Sequence, residues 1–517
     1  MSLPLLLKTK KPLLTCINKC NATVFKQAIS ARKMSLLHDG LPLTLFQLSK
    51  ADKNGILPGT RGESTAASSN DIKVTLKDLK LQLATEMGVN HPYKPFSHDR
   101  AHLAKYLPKS PDALPKRSMQ DSYIAAIIPL STNLSLQEKY TTFLGSVRLG
   151  RLMEDMDIFS VIVARKHIVL PDVPAGIFPQ TLVTVLVDRV EFTEYAPKMN
   201  QDIKISGHVS WVSKSTLEVV VWLEQIDGGK WQRITRAVFL LAARDPVNPK
   251  ASFVNQFEPA NEREKTILVG GEERKKHRME LGSSHLSKKP PNQEEQQILH
   301  DLYVSTTDPK DISMSKRVLP TNSVWMNITK VSNAILAQPE NRNMHNAVFG
   351  GFMMRQAIEL AWITGYMHCK FRPRTRVLSD VQFKQPVAVN SLIQMHATLV
   401  YTQKQFMQII VFAQVYNPLS GLTSTTNAFY LTLEAPETVP SVTPQSYYES
   451  MLFIDGKRHF VTGLKETEAQ QGHKNIRPRE LGKQIHPGSG RLAGAIRRRQ
   501  MATNDQSALL NGRERQL

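Results

Sequence analysis

The chain has 517 residues, 41% of them hydrophobic and 21% charged. That is too long for one hydrophobic core, so at least two domains are expected, and the composition excludes a wholly disordered or collagen-like chain. The net charge of +21 sits mainly at the ends: residues 1–38 hold seven Lys/Arg and no acid, and residues 471–517 hold ten against three. The body shows no zinc-finger, helix-turn-helix or aromatic-basic RNA motif, so no nucleic-acid partner is expected. No run approaches the ~18 apolar residues of a membrane span.

The chain opens MSLPLLLKTKKPLLTCINKC, basic and acid-free, without the apolar run and small-residue cleavage site of a secretory signal. Residues 1–40 therefore read as a mitochondrial transit peptide, which predicts the matrix as destination. Cys16 and Cys20 fall here, i,i+4 and without partner ligands. With Cys369 they are all the cysteine of the chain, too little for a disulfide framework or a four-cysteine zinc site. Residues 41–109 read as a polar, proline-rich leader and connecting arm holding one helix from about Lys73 to Met87.

Two segments of the same design follow, 110–250 and 320–440. In the first, VRLGRLMEDMDIFSVIVARKH (147–167) carries apolar residues at helical spacing. Four strand-like runs rich in β-branched and aromatic residues come next. In the second, VFGGFMMRQAIELAWITGYMH (348–368) is the helix, and again four strand-like runs follow. Strand landmarks pair at an offset of 190: Val209 with Leu399, Trp211 with Tyr401, Trp222 with Phe412, Phe239 with Phe429. The helices pair at 201, Gly150 opposite Gly351, so a loop insertion in the first half is expected. Each unit is then an α+β fold, an antiparallel sheet around one long helix, and the pair forms within one chain what a homodimer forms from two. Residues 251–319 are charged, with paired glycines and prolines, and read as a linker with short helices. Residues 441–517 read as a C-terminal extension and basic tail.

The segment PENRNMHNAVFGG (339–351) leads an Asn-rich turn into the second helix. Glycines at a helix entry permit close backbone approach, and the N–H groups of a first turn favour a carbonyl oxygen that becomes an oxyanion. Close helix–sheet packing explains Gly350 and Gly351 as well. The segment N-x-x-x-x-x-F-G-G-x-x-M-R-x-A-x-E resembles the hotdog-fold acyl-CoA thioesterases. Over roughly residues 70–465 the chain is similar to their mitochondrial double-hotdog members, with a basic leader, two copies, a charged linker and an RLGRLMEDMD helix.

The resemblance implies a tandem hotdog fold and hydrolysis of fatty acyl-CoA to free acid and coenzyme A. It implies no cofactor beyond the coenzyme A of the substrate. In that family an Asn precedes the second Gly by eight residues and an Asp follows it by seven. Here Asn343 keeps the first position and Asp157 keeps the second, in opposite halves; Ile358 and Thr142 stand where the other pair is lost. Asn343, Asp157, Gly350 and Gly351 thus form the expected composite site: a carboxylate to deprotonate water, N–H groups to polarise the carbonyl, and a directional amide. As a helix-start acid, Asp157 is equally well read as solvated surface.

Thr142 with Glu359 is an alternative second site, with Glu359 more simply a structural acid. His345 lies inside the motif as a possible substrate contact. Arg372, Arg374, Arg376 and Lys404 are candidates for the phosphates of coenzyme A, though solubility explains them too. A homo-oligomer, a trimer of double-hotdog chains, is the expected assembly. The alternatives are a hotdog acyl-thioester dehydratase and a non-catalytic acyl-CoA-binding or scaffold module.

Overall fold

The computed structural model describes residues 74–86, 100–174, 177–247, 250–283, 286, 288–343, 347–379, 381–383 and 385–472, all within one compact unit spanning 66–517. The expected transit peptide, His345 and the basic tail beyond 472 lie outside the described residues.

The first half runs α1 (Leu76–Glu86), α2 (Met119–Ser122), β1 (Ile124–Ile128), α3 (Leu134–Tyr140), α4 (Leu149–His167), β2 (Thr181–Val187), β3 (Val190–Phe192), β4 (Ile203–Val212), β5 (Thr216–Asp227) and β6 (Lys230–Arg244). Helices α5 (Glu262–Ser283) and α6 (Gln293–Ser305) follow. The second half runs β7 (Ser323–Trp325), β8 (Val331–Leu336), α7 (Gly350–Cys369), β9 (Arg374–Ser379), β10 (Val381–Gln382), β11 (Leu392–Gln403), β12 (Phe406–Tyr416), β13 (Thr423–Glu434), β14 (Ser441–Thr443) and α8 (Tyr447–Gly472).

Alternation along the strands sets the layers. In β5, Val219 and Val221 join the main core, while Val220 and Trp222 join Val238 in a separate cluster on the other face. Phe159 and Val163 of α4 lie against Gly207 of β4, so the helix fills the inner face. Each half is thus a sheet wrapped around one long helix, the hotdog arrangement. The twelve-stranded sheet runs β1-β4-β5-β6-β3-β9-β13-β12-β11-β8, with β2 beside β6 and β10.

The join between the halves has isologous symmetry. Val187 pairs with Val381 and Val190 with Leu378. At an offset of 191, Val187 corresponds to Leu378 and Val190 to Val381, so the two contacts exchange under a pseudo-twofold. Local detail repeats as well. The β4–β5 register breaks between Val209 and Trp211, and the β11–β12 register between Leu399 and Tyr401. Beside each bulge one hydroxyl accepts from the strand and donates to a buried methionine carbonyl. Ser122 takes the Val209 N–H and gives to Met119; Thr329 takes the Leu399 N–H and gives to Met326.

One landmark pairing needs correction. Val219 faces Phe239, and its counterpart Ile409 faces Leu431, so Phe239 corresponds to Leu431 rather than to Phe429. The cause is hairpin length. Asp227 pairs with Lys230 across Gly228 and Gly229, both at positive φ, whereas the second hairpin pairs Tyr416 with Thr423. The change of helix offset has its expected insertion: residues 168–180 link α4 to β2, while 370–373 link α7 to β9.

The segment between the halves holds the 22-residue α5, longer than the expected short helices. It covers the outer face over β4, where a Cβ on Gly271 would stand 2.5 Å from Trp211. Glu218, buried in the sheet, holds α5 through Arg274 and Arg278. In the second half α8, absent from the sequence expectation, does the same work: Gly456 meets Val400, and Phe453 and Phe460 pack on Tyr401.

Candidate active site

The two central helices meet near their N-termini, and glycine is what lets them. A Cβ on Gly351 would lie 2.8 Å from Glu154 Cα and 2.9 Å from Asp157 Cβ. Across the pseudo-twofold, a Cβ on Gly150 would lie 3.1 Å from the Arg355 carbonyl oxygen. Gly350 is confined from another side, where a Cβ would lie 2.7 Å from the Phe383 ring. Packing and access to the helix entry are thus served by the same residues.

This approach brings Asp157, on the third turn of α4, to the start of α7. Its Oδ2 accepts the Gly351 N–H at 2.6 Å and its Oδ1 accepts the Thr184 hydroxyl at 2.9 Å. The side chain is buried, not a solvated surface acid. Burial pushes its carboxyl from 3.8 up to about 6; the bonds from Gly351 and Thr184 pull the other way, and the Glu154 charge adds to the rise. The Gly351 N–H therefore holds Asp157 rather than pointing at a substrate carbonyl. The Gly350 N–H, one step earlier in the same turn, carries no hydrogen bond to a described residue.

Asn343 closes a turn. Its N–H donates to the Ala347 carbonyl at 2.7 Å, and its Oδ1 accepts the Ala347 N–H at 3.1 Å. Thr142 does the same in the first half: its N–H donates to the Ser146 carbonyl at 2.8 Å, and its Oγ1 accepts the Ser146 N–H at 3.2 Å. The two turns are closed by the same pair of hydrogen bonds, and threonine supplies the acceptor as well as asparagine does. What Asn343 adds is the amide Nδ2–H2 donor.

The counterpart of the Asp157 position has Ile358, which cannot accept the Gly150 N–H as Asp157 accepts that of Gly351. Glu359 instead pairs with Arg148 at 2.5 Å, between the two helices, and Thr142 bonds to Ser146 Oγ at 2.8 Å. Glu359 and Thr142 are thus each engaged with another partner. Arg374 donates to the Thr193 carbonyl, and Arg376 pairs with Glu434 at 3.6 Å and Glu194 at 3.8 Å. They flank Thr375, which corresponds to Thr184 across the pseudo-twofold, and so belong to the half-site without an acid. Arg372 is exposed, and Lys404 sits at the β11–β12 hairpin tip with φ 54°. None of the four lines the cleft described next.

A small apolar cleft is lined by Leu83, Val161, Phe178, Leu182 and Phe349, with Glu86, Arg165 and Asn343. Val161 lies one turn beyond Asp157, Leu182 shares the Thr184 face of β2, and Phe349 precedes Gly351 by two residues. The cleft thus lies one helical turn from Asp157, which does not itself line it, and takes Asn343 into its wall. Thr184 escaped the sequence reading; a threonine within TLVTVLV was its one signal. Leu83, Glu86 and Phe178 had none, because they lie in the arm and in the inserted loop.

No protein-family model matches the chain. Human acyl-coenzyme A thioesterase 9, mitochondrial, is 39% identical over 362 residues, covering 70% of this chain and 82% of the relative. Mouse acyl-coenzyme A thioesterase 10, mitochondrial, is 38% identical over 363 residues, with the same shares of 70% and 82%. Among solved structures, an acyl-CoA hydrolase from Staphylococcus aureus matches at 22% identity and a TM-score of 0.28, covering 29% of this chain and 97% of that one. At that identity over that much of both sequences, the chain belongs to the acyl-coenzyme A thioesterase family.

Proposed function

We propose that the chain hydrolyses fatty acyl-CoA thioesters to free acid and coenzyme A at one composite site built from both halves. The observation that carries this reading is the buried Asp157 carboxylate, held by Gly351 and Thr184 where an apolar cleft reaches the start of α7. A carboxyl near 6 is ionised at neutral pH yet basic enough to take a proton from water. Its two hydrogen bonds fix its orientation before substrate arrives.

In the reaction, Asp157 draws a proton from water as the water oxygen attacks the thioester carbon. The carbonyl oxygen gains charge, which the Gly350 N–H and the positive end of α7 stabilise. The C–S bond then breaks, and the proton passes to the departing sulfur. The Asn343 amide donates to the attacking water or to the thioester. Water is the sole co-reactant, so no metal or redox group enters the scheme.

We place the enzyme in the mitochondrion, on the basic leader and the naming of its relatives, and in the matrix on the leader alone. The proposal includes a homo-oligomer, a trimer of chains; light scattering that gives a monomer at every working concentration refutes it. Release of coenzyme A, followed with a thiol reagent across acyl-CoA substrates, tests the function. Turnover lost in Asp157→Asn supports it. Hydration without release indicates a dehydratase, and tight binding without turnover a non-catalytic module.

A further inference from the structure

The two halves differ in where they carry extra chain. Only α4 is overlaid by α1 among the described residues: Lys80 pairs with the buried Asp155 and Glu86 with Arg165 at 3.4 Å. The corresponding face of α7, with Ile363, Tyr366 and Met367, is exposed. The 168–180 insertion likewise belongs to the first half, and Arg100 holds it by donating to the Phe178 carbonyl at 2.6 Å. Both additions converge on the half-site that keeps its acid. Leu83 and Glu86 from α1, and Phe178 from the insertion, make up three of the eight residues lining the cleft.

From this asymmetry we infer that α1 and Phe178 of the insertion form the wall and far end of an acyl-chain channel, and that the Glu86–Arg165 pair sets the chain length it accepts. The inference rests on the thioesterase reading of the Asp157 site and adds the specificity device. Asp157, Val161 and Arg165 follow one another at four-residue steps along α4. From the reacting position to Arg165 is two turns and more, ~12 Å at 1.5 Å per residue. An extended alkyl chain advances roughly 1.3 Å per carbon, so about nine carbons reach the ion pair. The lining up to that point is apolar: Val161, Leu182, Leu83 and Phe178. Arg165 also stacks its guanidinium 4.2 Å from the Phe178 ring centroid, which joins the two added segments at the far end. A longer chain must displace this closure or leave methylenes in water.

The test is a kcat/KM ladder with saturated acyl-CoA substrates from two to sixteen carbons, on the full chain. For the wild type, kcat/KM rises with each buried methylene, by up to about fourfold, and turns over at about eight to ten carbons. Glu86→Gln and Phe178→Ala each move the turning point to longer chains by two carbons or more. They act from different segments, so loss of fold in one leaves the other to decide. A wild-type ladder without a turning point, or turning points unmoved in folded variants, overturns the channel-end assignment while leaving the thioesterase reading intact. Absence of coenzyme A release from every substrate by the wild type overturns both.

Discussion

Asp157→Asn separates a working base from a structural cap, because the two roles predict opposite stability changes. The native carboxyl is pushed from 3.8 to about 6, so the folded state holds this proton more tightly than the unfolded chain does. The group's contribution to stability is therefore full below about pH 4 and is lost as pH rises through 6. At pH 7 the ionised, buried form costs the fold on the order of 3 kcal/mol. The amide removes that cost and keeps the geometry, with its oxygen accepting from Gly351 and its NH2 donating to Thr184. The variant should be at least as stable as the wild type at pH 7.5, by urea melts, and should lose the stability decline between pH 4 and 6. Its kcat should fall about 10²- to 10⁴-fold, the usual contribution of a general base. A variant that keeps kcat, or one destabilised by several kcal/mol at pH 7.5, refutes the argument.

Asn343→Thr should preserve the turn, as Thr142 does in the other half, yet lower kcat roughly 10–1000-fold through loss of the Nδ2 donor; a fully active variant would assign Asn343 to the turn alone. The kcat/KM of the wild type should rise with pH through about 6 and level off above it, following the Asp157 carboxyl, and a profile flat from pH 5 to 8 argues against that base. Glu359→Gln breaks the Arg148 pair, whose side chains are 35% and 31% exposed. It should cost at most about 1 kcal/mol and leave kcat in place; a collapse of kcat revives the second site. Gly271→Ala, which drives a Cβ into Trp211, should cost about 1–3 kcal/mol in chemical melts, with an unchanged midpoint showing that α5 does not pack as described.

The duplication was legible because both halves repeat residue types at fixed strand spacing, and a hotdog needs that order of helix and strands. The constant offset failed at β13, since Gly228-Gly229 makes a hairpin two residues tighter than the one between Tyr416 and Thr423. Helix α8 was passed over although Ser446 and Glu449 cap its start; its apolar residues make sense only against the β11 face they cover. At the site, Asp157 and Asn343 were visible as complementary losses in two copies. The capture of Asp157 by the Gly351 N–H was not, because it depends on two helices crossing about 200 positions apart in sequence. The role of α1 at the cleft was hidden for the same reason, in a segment that reads as a connecting arm.

The central claim is a single site shared by the two halves, and a double-mutant cycle on kcat/KM with Asp157→Asn and Asn343→Ala measures it most directly. Residues that act on the same water and carbonyl lose their benefit once. The account predicts a double variant within about threefold of Asp157→Asn alone. Penalties that multiply in full would place the two residues in independent roles and contradict it.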